Sequence, residues 1–260
     1  MRGAGDSDDA RLASTAQAAL ADDGDARTFC TNCSFGRICL PNGYDKTALH
    51  ALHCLVEHVG PFRGGHHLFR VNDAFGAIYS VRAGMIKTYV VDDRGREQVT
   101  GFYLPGELVG LNAIYPARYP CNAVTLDTAA LCRFSFPAMA TLATRLPHLQ
   151  EQLFRLLSKD IGTASLLSGD YTAEERLAAF LIDLADRYAT RGYSARRLHL
   201  SMPRSDIANY LRLAAETVSR VLGRLQERGL LRIEGREVGI LDAIALRDAA
   251  RCVLQHRCAD

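Results

Sequence analysis

Three cysteines fall within ten residues, Cys30, Cys33 and Cys39, in the pattern Cys-x2-Cys-x5-Cys. Thiolates packed this closely in sequence suit a soft metal, and zinc sites and iron–sulfur clusters both use such loops. The loop offers three ligands, so a fourth must come from elsewhere. Cys54 follows His50 and His53, Cys121 precedes a β-rich run, Cys132 lies in one, and Cys252 and Cys258 are near the end of the chain. Spacing does not choose among them. His66 and His67 read as loop residues rather than ligands.

A second set lies in the last third. Glu216, Ser219 and Arg220 stand at i, i+3 and i+4 of a run whose other side is Val218, Val221, Leu222 and Leu225. In a helix the polar trio therefore shares one face. A carboxylate accepts from the N4 amine of cytosine, and a guanidinium forks onto O6 and N7 of guanine, so this pair suits a G·C step in duplex DNA. The same two side chains also suit an intrahelical ion pair of about 0.3–0.5 kcal/mol. Around them, Arg196 to Arg232 holds eight Arg against Asp206, Glu216 and Glu227. That surplus fits a polyanion or a solvated helix face, whereas the net charge of +2 for the whole chain says little.

The elements that must position these groups follow from periodicity. The first 27 residues carry six Asp and three Arg among Ala and Ser. They lack the basic start and apolar stretch of a signal peptide, and read as a disordered leader on a cytoplasmic chain. There thiols stay reduced, so eight cysteines point to metal or redox chemistry rather than disulfides. No apolar run approaches the roughly 18–20 residues that span a bilayer, and no membrane partner is expected. Leu49, Leu52, Leu55 and Val56 suggest a short helix. From about Phe62 to Leu146 short β-rich runs dominate: Ile78–Gly84, Met85–Val91, a hairpin turn at Asp92–Gly95, then Gln98–Tyr103. They suggest a small antiparallel barrel or jelly roll.

From Leu146 the period becomes helical. Leu149, Leu153, Leu156, Leu157, Ile161 and Ala164 form one stripe, which could pack on its own domain or form a two-chain seam. Asp160 sits beside it and would approach its own copy in a symmetric dimer. An amphipathic helix at Glu174–Arg187 precedes two short helices, Arg204–Leu211 and Ala214–Arg228, the second stopped by Gly229. Two short helices with a tight turn form a helix-turn-helix. Leu230–Ile233 and Val238–Leu241 suggest a wing. There is no Gly-rich phosphate loop before a suitable helix and no nucleophile–base pair, so an enzyme is not expected.

The run RSDIANYLRLAAETVSRVLGRLQ, Arg204–Gln226, closely resembles the helix-turn-helix of the cyclic-AMP receptor protein (CRP) superfamily. YLPGELVG, Tyr103–Gly110, extends the resemblance to nearly the whole chain after the leader. It implies an α+β fold: an N-terminal β-roll sensor (a cyclic-nucleotide-binding-like jelly roll), a long dimerisation helix and a C-terminal winged helix-turn-helix. The corresponding domains are a leader at 1–29, the cluster loop and β-roll at 30–145, the dimerisation helix at 146–170 and the DNA-binding domain at 171–260. Glu216-Thr-Val-Ser-Arg220 resembles the fumarate and nitrate reduction regulator (FNR) branch; the cyclic-AMP receptor has Arg at the position of Ala215 and Gly at that of Ser219.

That branch implies an oxygen-responsive regulator of anaerobic and respiratory genes. By resemblance it carries a [4Fe–4S] cluster on three N-terminal cysteines and one in the β-roll, here Cys30, Cys33, Cys39 and, within TAALCRF, Cys132. A same-fold regulator that senses through thiols or zinc is the alternative. The resemblance further implies TTGAT-type palindromic sites read by Glu216, Ser219 and Arg220. It also implies a homodimer through Leu149, Leu153, Leu157, Asp160 and Ile161, and a contact of the Asp92–Glu97 turn with RNA polymerase. Arg96 departs from the acidic residue usual in that turn. Where cyclic-AMP receptors bind ribose and phosphate, this chain has Leu111-Asn112 and Pro120-Cys121, so no cyclic nucleotide is expected. Two further departures concern stability: Arg212 stands where the turn usually has Gly, and Ala214 where the recognition helix usually has a hydroxyl cap, each worth about 1 kcal/mol.

Overall fold

The computed structural model describes residues 33, 39, 52, 55–165 and 169–255, with the side chains of 159–165 and 255 excepted. The expected leader, Cys30, Cys54, Cys258 and the side chains of Asp160 and Ile161 lie outside the described residues.

Two antiparallel sheets form a β-roll. One has the order β1-β8-β3-β6 and the other β2-β7-β4-β5. Their strands are β1 Val56–Phe62, β2 His67–Phe69, β3 Ala77–Ala83, β4 Ile86–Val91, β5 Glu97–Tyr103, β6 Leu108–Val109, β7 Asn122–Thr125 and β8 Ala129–Ser135. Side chains alternate across a strand, and the two faces of the first sheet go to different cores. Val81 and Leu131 point inward to meet Phe69, Ile86 and Ala123 of the second sheet. Ile78, Cys132 and Phe134 face outward and are covered by Cys39, Leu52, Met139 and Leu149. Gly84 turns β3 into β4 at φ 76°, where a Cβ would lie 2.5 Å from the Thr128 carbonyl oxygen, so only glycine fits.

Three sequence expectations change here. Val56 begins β1 and is not helical; pairing with β8 overrides the local apolar spacing. His67 is in β2, paired opposite Val124, rather than in a loop. The wing has a third strand, β9 Arg197–His199, beside β10 Leu231–Glu234 and β11 Glu237–Ile240.

The roll leads through α1, Phe136–Ala143, into α2, Pro147–Ser165. Then come α3 Ala173–Ala189, α4 Arg204–Tyr210, α5 Ala215–Glu227, α6 Ala243–Ala249 and α7 Arg251–Gln255. A capping box opens α3: Thr172 Oγ1 accepts from the Glu175 amide, and Glu175 Oε2 accepts from the Thr172 amide. Among the described residues no helix is long and apolar enough to cross a membrane.

The winged-helix core extends into the roll. Leu177, Phe180, Leu181, Val221 and Leu225 share one buried cluster with Met85, Val99, Phe102 and Leu104. Phe102, Phe180 and Tyr210 pack edge-on or tilted, with ring centres 5.3–6.2 Å apart. Asn209 of α4 completes the free edge of β5. Its Oδ1 accepts from the Val99 amide at 2.7 Å and its Nδ2 donates to the Glu97 carbonyl at 2.6 Å. Lys87 links β4 to α4 through Asp206 at 3.0 Å and also meets Glu97 at 3.3 Å. Burial alone would lower its pKa, but the two carboxylates outweigh that and raise it.

Candidate reading face and sensor site

The helix-turn-helix forms because α5 is apolar on one side only. Val218, Val221, Leu222 and Leu225 are buried at helical spacing, and Gly229 ends the run at φ 74°. Glu216, Ser219 and Arg220 are all exposed on the opposite side. Glu216 and Arg220 form no ion pair among the described residues; the Arg220 guanidinium reaches Thr217 Oγ1 at 3.3 Å. The face is therefore not consumed by its own helix. Arg212 does take a positive φ, 57°, and Ala214 supplies no side-chain cap to α5.

The arginine surplus divides. Arg228 and Arg224 pair with Glu174 of α3, at 2.5 and 3.8 Å. Arg204, Arg212 and Arg232 are exposed and have no ion pair among the described residues. Cations left unpaired around a helix that presents a polar trio fit phosphates flanking a base-reading element.

Cys39 and Cys132, 93 positions apart in sequence, belong to one buried cluster that also includes Leu149 of α2. Cys39 Sγ lies 3.1 Å from Ser80 Oγ, and Ser80 pairs directly opposite Cys132 across β3 and β8. Gln152 of α2 donates to the Cys39 carbonyl at 3.3 Å. Cys39 thus touches both the roll and the long helix. Cys33 is half-buried, and Cys30 lies outside the described residues. No group of three or more His, Cys, Asp or Glu able to hold a metal forms among the described residues. Two thiols brought together on the sheet's outer face fit the donor chemistry of a thiolate-bound cluster.

Cys121 lies elsewhere. It is buried in the roll interior, on the other side of the first sheet. Burial pushes its thiol pKa up, against the thiolate a metal needs, although the Asn112 amide nitrogen 3.7 Å away works the other way. Tyr119 stacks on Phe69 at 3.7 Å and donates to the Ala77 carbonyl at 2.5 Å, which fills the adjoining space with aromatic rings. Burial pushes its hydroxyl up to about 12.

Along the long helix, Leu149 has no exposure and packs within its own chain. Leu153, Leu156 and Leu157 are only partly buried against the same cluster. Phe154, which the leucine stripe passes over, is 61% exposed.

A β-roll joined through a long helix to a winged helix defines a class of transcription regulator. Residues 60–145 match the cyclic nucleotide-binding domain, and residues 175–249 match the Crp-like helix-turn-helix domain. The chain is 43% identical over 220 residues to the transcriptional activator protein Anr of Pseudomonas aeruginosa, covering 84% of this chain and 90% of that protein. It is 39% identical over 220 residues to the fumarate and nitrate reduction regulatory protein of Salmonella typhi, covering 84% and 88%. Among solved structures, FixK2 from Bradyrhizobium japonicum is similar with a TM-score of 0.67 at 25% identity, covering 75% of this chain and 96% of that one. The chain belongs to the CRP/FNR family of DNA-binding transcription regulators, on its FNR branch.

Proposed function

We propose that this regulator senses oxygen through a [4Fe–4S] cluster held by Cys30, Cys33, Cys39 and Cys132. The observation that carries the reading is the convergence of Cys39 and Cys132 in one buried cluster with the start of α2. When bound, such a cluster supplies an oxygen-labile cross-link among four thiolates. The rest is done by the chain. Cys39 ties the N-terminal segment to β3 through Ser80 and to α2 through Gln152. Fixing that segment sets the position of α2, whose Phe154, Leu153 and Leu157 then form the seam of a symmetric dimer. Asp160, three positions after Leu157 and just before Ile161 in sequence, brings like charges together at the two-fold axis and keeps the cluster-free chain monomeric. Moving such an equilibrium from 1:99 to 99:1 takes about 5.5 kcal/mol.

The dimer places two α5 helices on half-sites one helical turn apart. Glu216, Ser219 and Arg220 read TTGAT-type half-sites, and Arg204, Arg212 and Arg232 meet phosphates. The target is a set of anaerobic and respiratory promoters in a cytoplasmic setting. The Asp92–Glu97 turn offers RNA polymerase an exposed charged surface in which Arg96 pairs with Asp92 at 2.6 Å. With Asn112 turned to Cys121 and Tyr119 stacked on Phe69, the roll responds to no cyclic nucleotide.

Sedimentation and binding to a palindromic duplex, measured without oxygen and again after air, test the scheme. A dimer that binds before air and a monomer that does not bind afterwards are expected. Asp160→Ala is expected to dimerise in air. An unchanged dimer fraction in both tests, or a metal that is zinc, refutes the scheme.

A further inference from the structure

We propose that the Ser80 hydroxyl is a hydrogen-bond donor to the cluster-ligating sulfur of Cys39, and so sets how firmly the chain holds its iron. The inference rests on the cluster reading above. Ser80 is 3% exposed on β3, paired between Leu108 of β6 and Cys132 of β8. A hydroxyl in such a place needs a partner, and its Oγ lies 3.1 Å from Cys39 Sγ. Between two neutral groups either atom can donate. A thiolate has no proton to give, so with Cys39 ionised the direction is fixed and Ser80 donates.

Strand register adds a second observation. Ser80 is the direct partner of Cys132 across the antiparallel β3–β8 pair. Opposed residues project from the same face with Cβ atoms about 4.5–5.5 Å apart. One hydroxyl therefore stands against Cys39 and beside Cys132, two of the four expected ligands. Groups that hydrogen-bond a metal ligand orient it and change metal affinity by roughly 10- to 100-fold, and hydrogen bonds to sulfur tune iron–sulfur clusters in the same way. Ser80→Ala removes one hydrogen bond to a sulfur, a weak acceptor, so the variant is expected to fold.

The test uses the full chain purified without oxygen and a ferrous-iron chelator, followed by the visible absorption of the cluster and by total iron. Ser80→Ala is expected to start with the wild-type iron content and release it roughly 10-fold faster. Ser80→Thr, which keeps a hydroxyl, is expected to release it at close to the wild-type rate. The iron-free wild type and Ser80→Ala are expected to unfold at the same urea concentration, which a purely structural role would not give. Equal release from wild type and Ser80→Ala overturns the inference while leaving the cluster reading intact. Release from Ser80→Thr as fast as from Ser80→Ala assigns the effect to packing and also overturns it. A wild type without iron or colour overturns the cluster reading, and this inference with it.

Discussion

Glu107→Ala is expected to destabilise the fold by about 3 kcal/mol, because it strips the counter-charge from two arginines between the roll and the winged helix. Glu107 Oε1 accepts from Arg187 Nε at 2.9 Å and lies 2.8 Å from an Arg191 terminal nitrogen. Its Oε2 meets the Arg187 guanidinium at 2.5 Å and accepts from the Leu104 amide at 3.0 Å. The Arg191 side chain is only 2% exposed and that of Glu107 15%. Burial alone would lower the Arg187 pKa, but Glu107 and Asp183 outweigh that and raise it, so the side chain is charged. Removing one partner of a buried ion pair costs about 3–5 kcal/mol. The lower end applies because Asp183 stays 3.2 Å from Arg187 and the Phe102 and Pro105 carbonyls still accept from the arginines. With a urea m-value of about 2–3 kcal/mol/M, the midpoint should fall by about 1–1.5 M. Circular dichroism reads it, since the chain has no Trp. Arg96→Ala, which breaks only the exposed pair with Asp92, is the control and should not move the midpoint. A shift below about 0.3 M for Glu107→Ala would refute the claim that this buried network holds the two domains together.

Asn209→Ala leaves the Val99 amide and the Glu97 carbonyl at the β5 edge without their partner, and a loss of about 1–3 kcal/mol in urea unfolding is expected. Arg220→Ala is expected to weaken binding by about 1–3 kcal/mol and to relax selection at one base of the half-site, measured by anisotropy across a half-site library. Uniform weakening across all sequences would mark Arg220 as a phosphate contact instead. His67 lies below its ordinary value of 6.5, first because burial disfavours the charged ring and then because Arg70 is near. Its folded pKa is depressed, so its contribution to stability is present above 6.5 and lost as pH falls from there through the lower folded value. His67→Gln should therefore flatten part of the stability loss as pH falls below 6.5, read as urea midpoints at each pH.

The winged helix was legible because its signals are local. The spacing of Val218, Val221, Leu222 and Leu225, and a glycine at 229, lie within twelve residues of one another and need no distant partner. Strand β1 was not, since its His58-Val-Gly-Pro61 stretch breaks alternation and pairs with β8 more than 70 residues away. Strand β9 is three residues long with a charged first residue, too short for a pattern. The contacts that join the domains, Glu107 with Arg187 and Val99 with Asn209, span 80 and 110 positions and leave no periodic trace. Leu149 and Phe154 show the same limit within one helix. A leucine stripe identifies an apolar face, but only the roll's shape decides that Leu149 is buried within its own chain while Phe154 is not. Resemblance favours Cys132 over Cys121, and of these two Cys132 lies on the sheet face that carries Cys39 while Cys121 lies on the other.

That division makes the central claim directly measurable. Iron and visible absorption are determined on anaerobically purified wild type, Cys121→Ala and Cys132→Ala. The account predicts a brown wild type with about four irons per chain, a Cys121→Ala variant that matches it, and a Cys132→Ala variant that is bleached. A Cys132→Ala protein with full colour, or a colourless wild type that carries zinc, would contradict it.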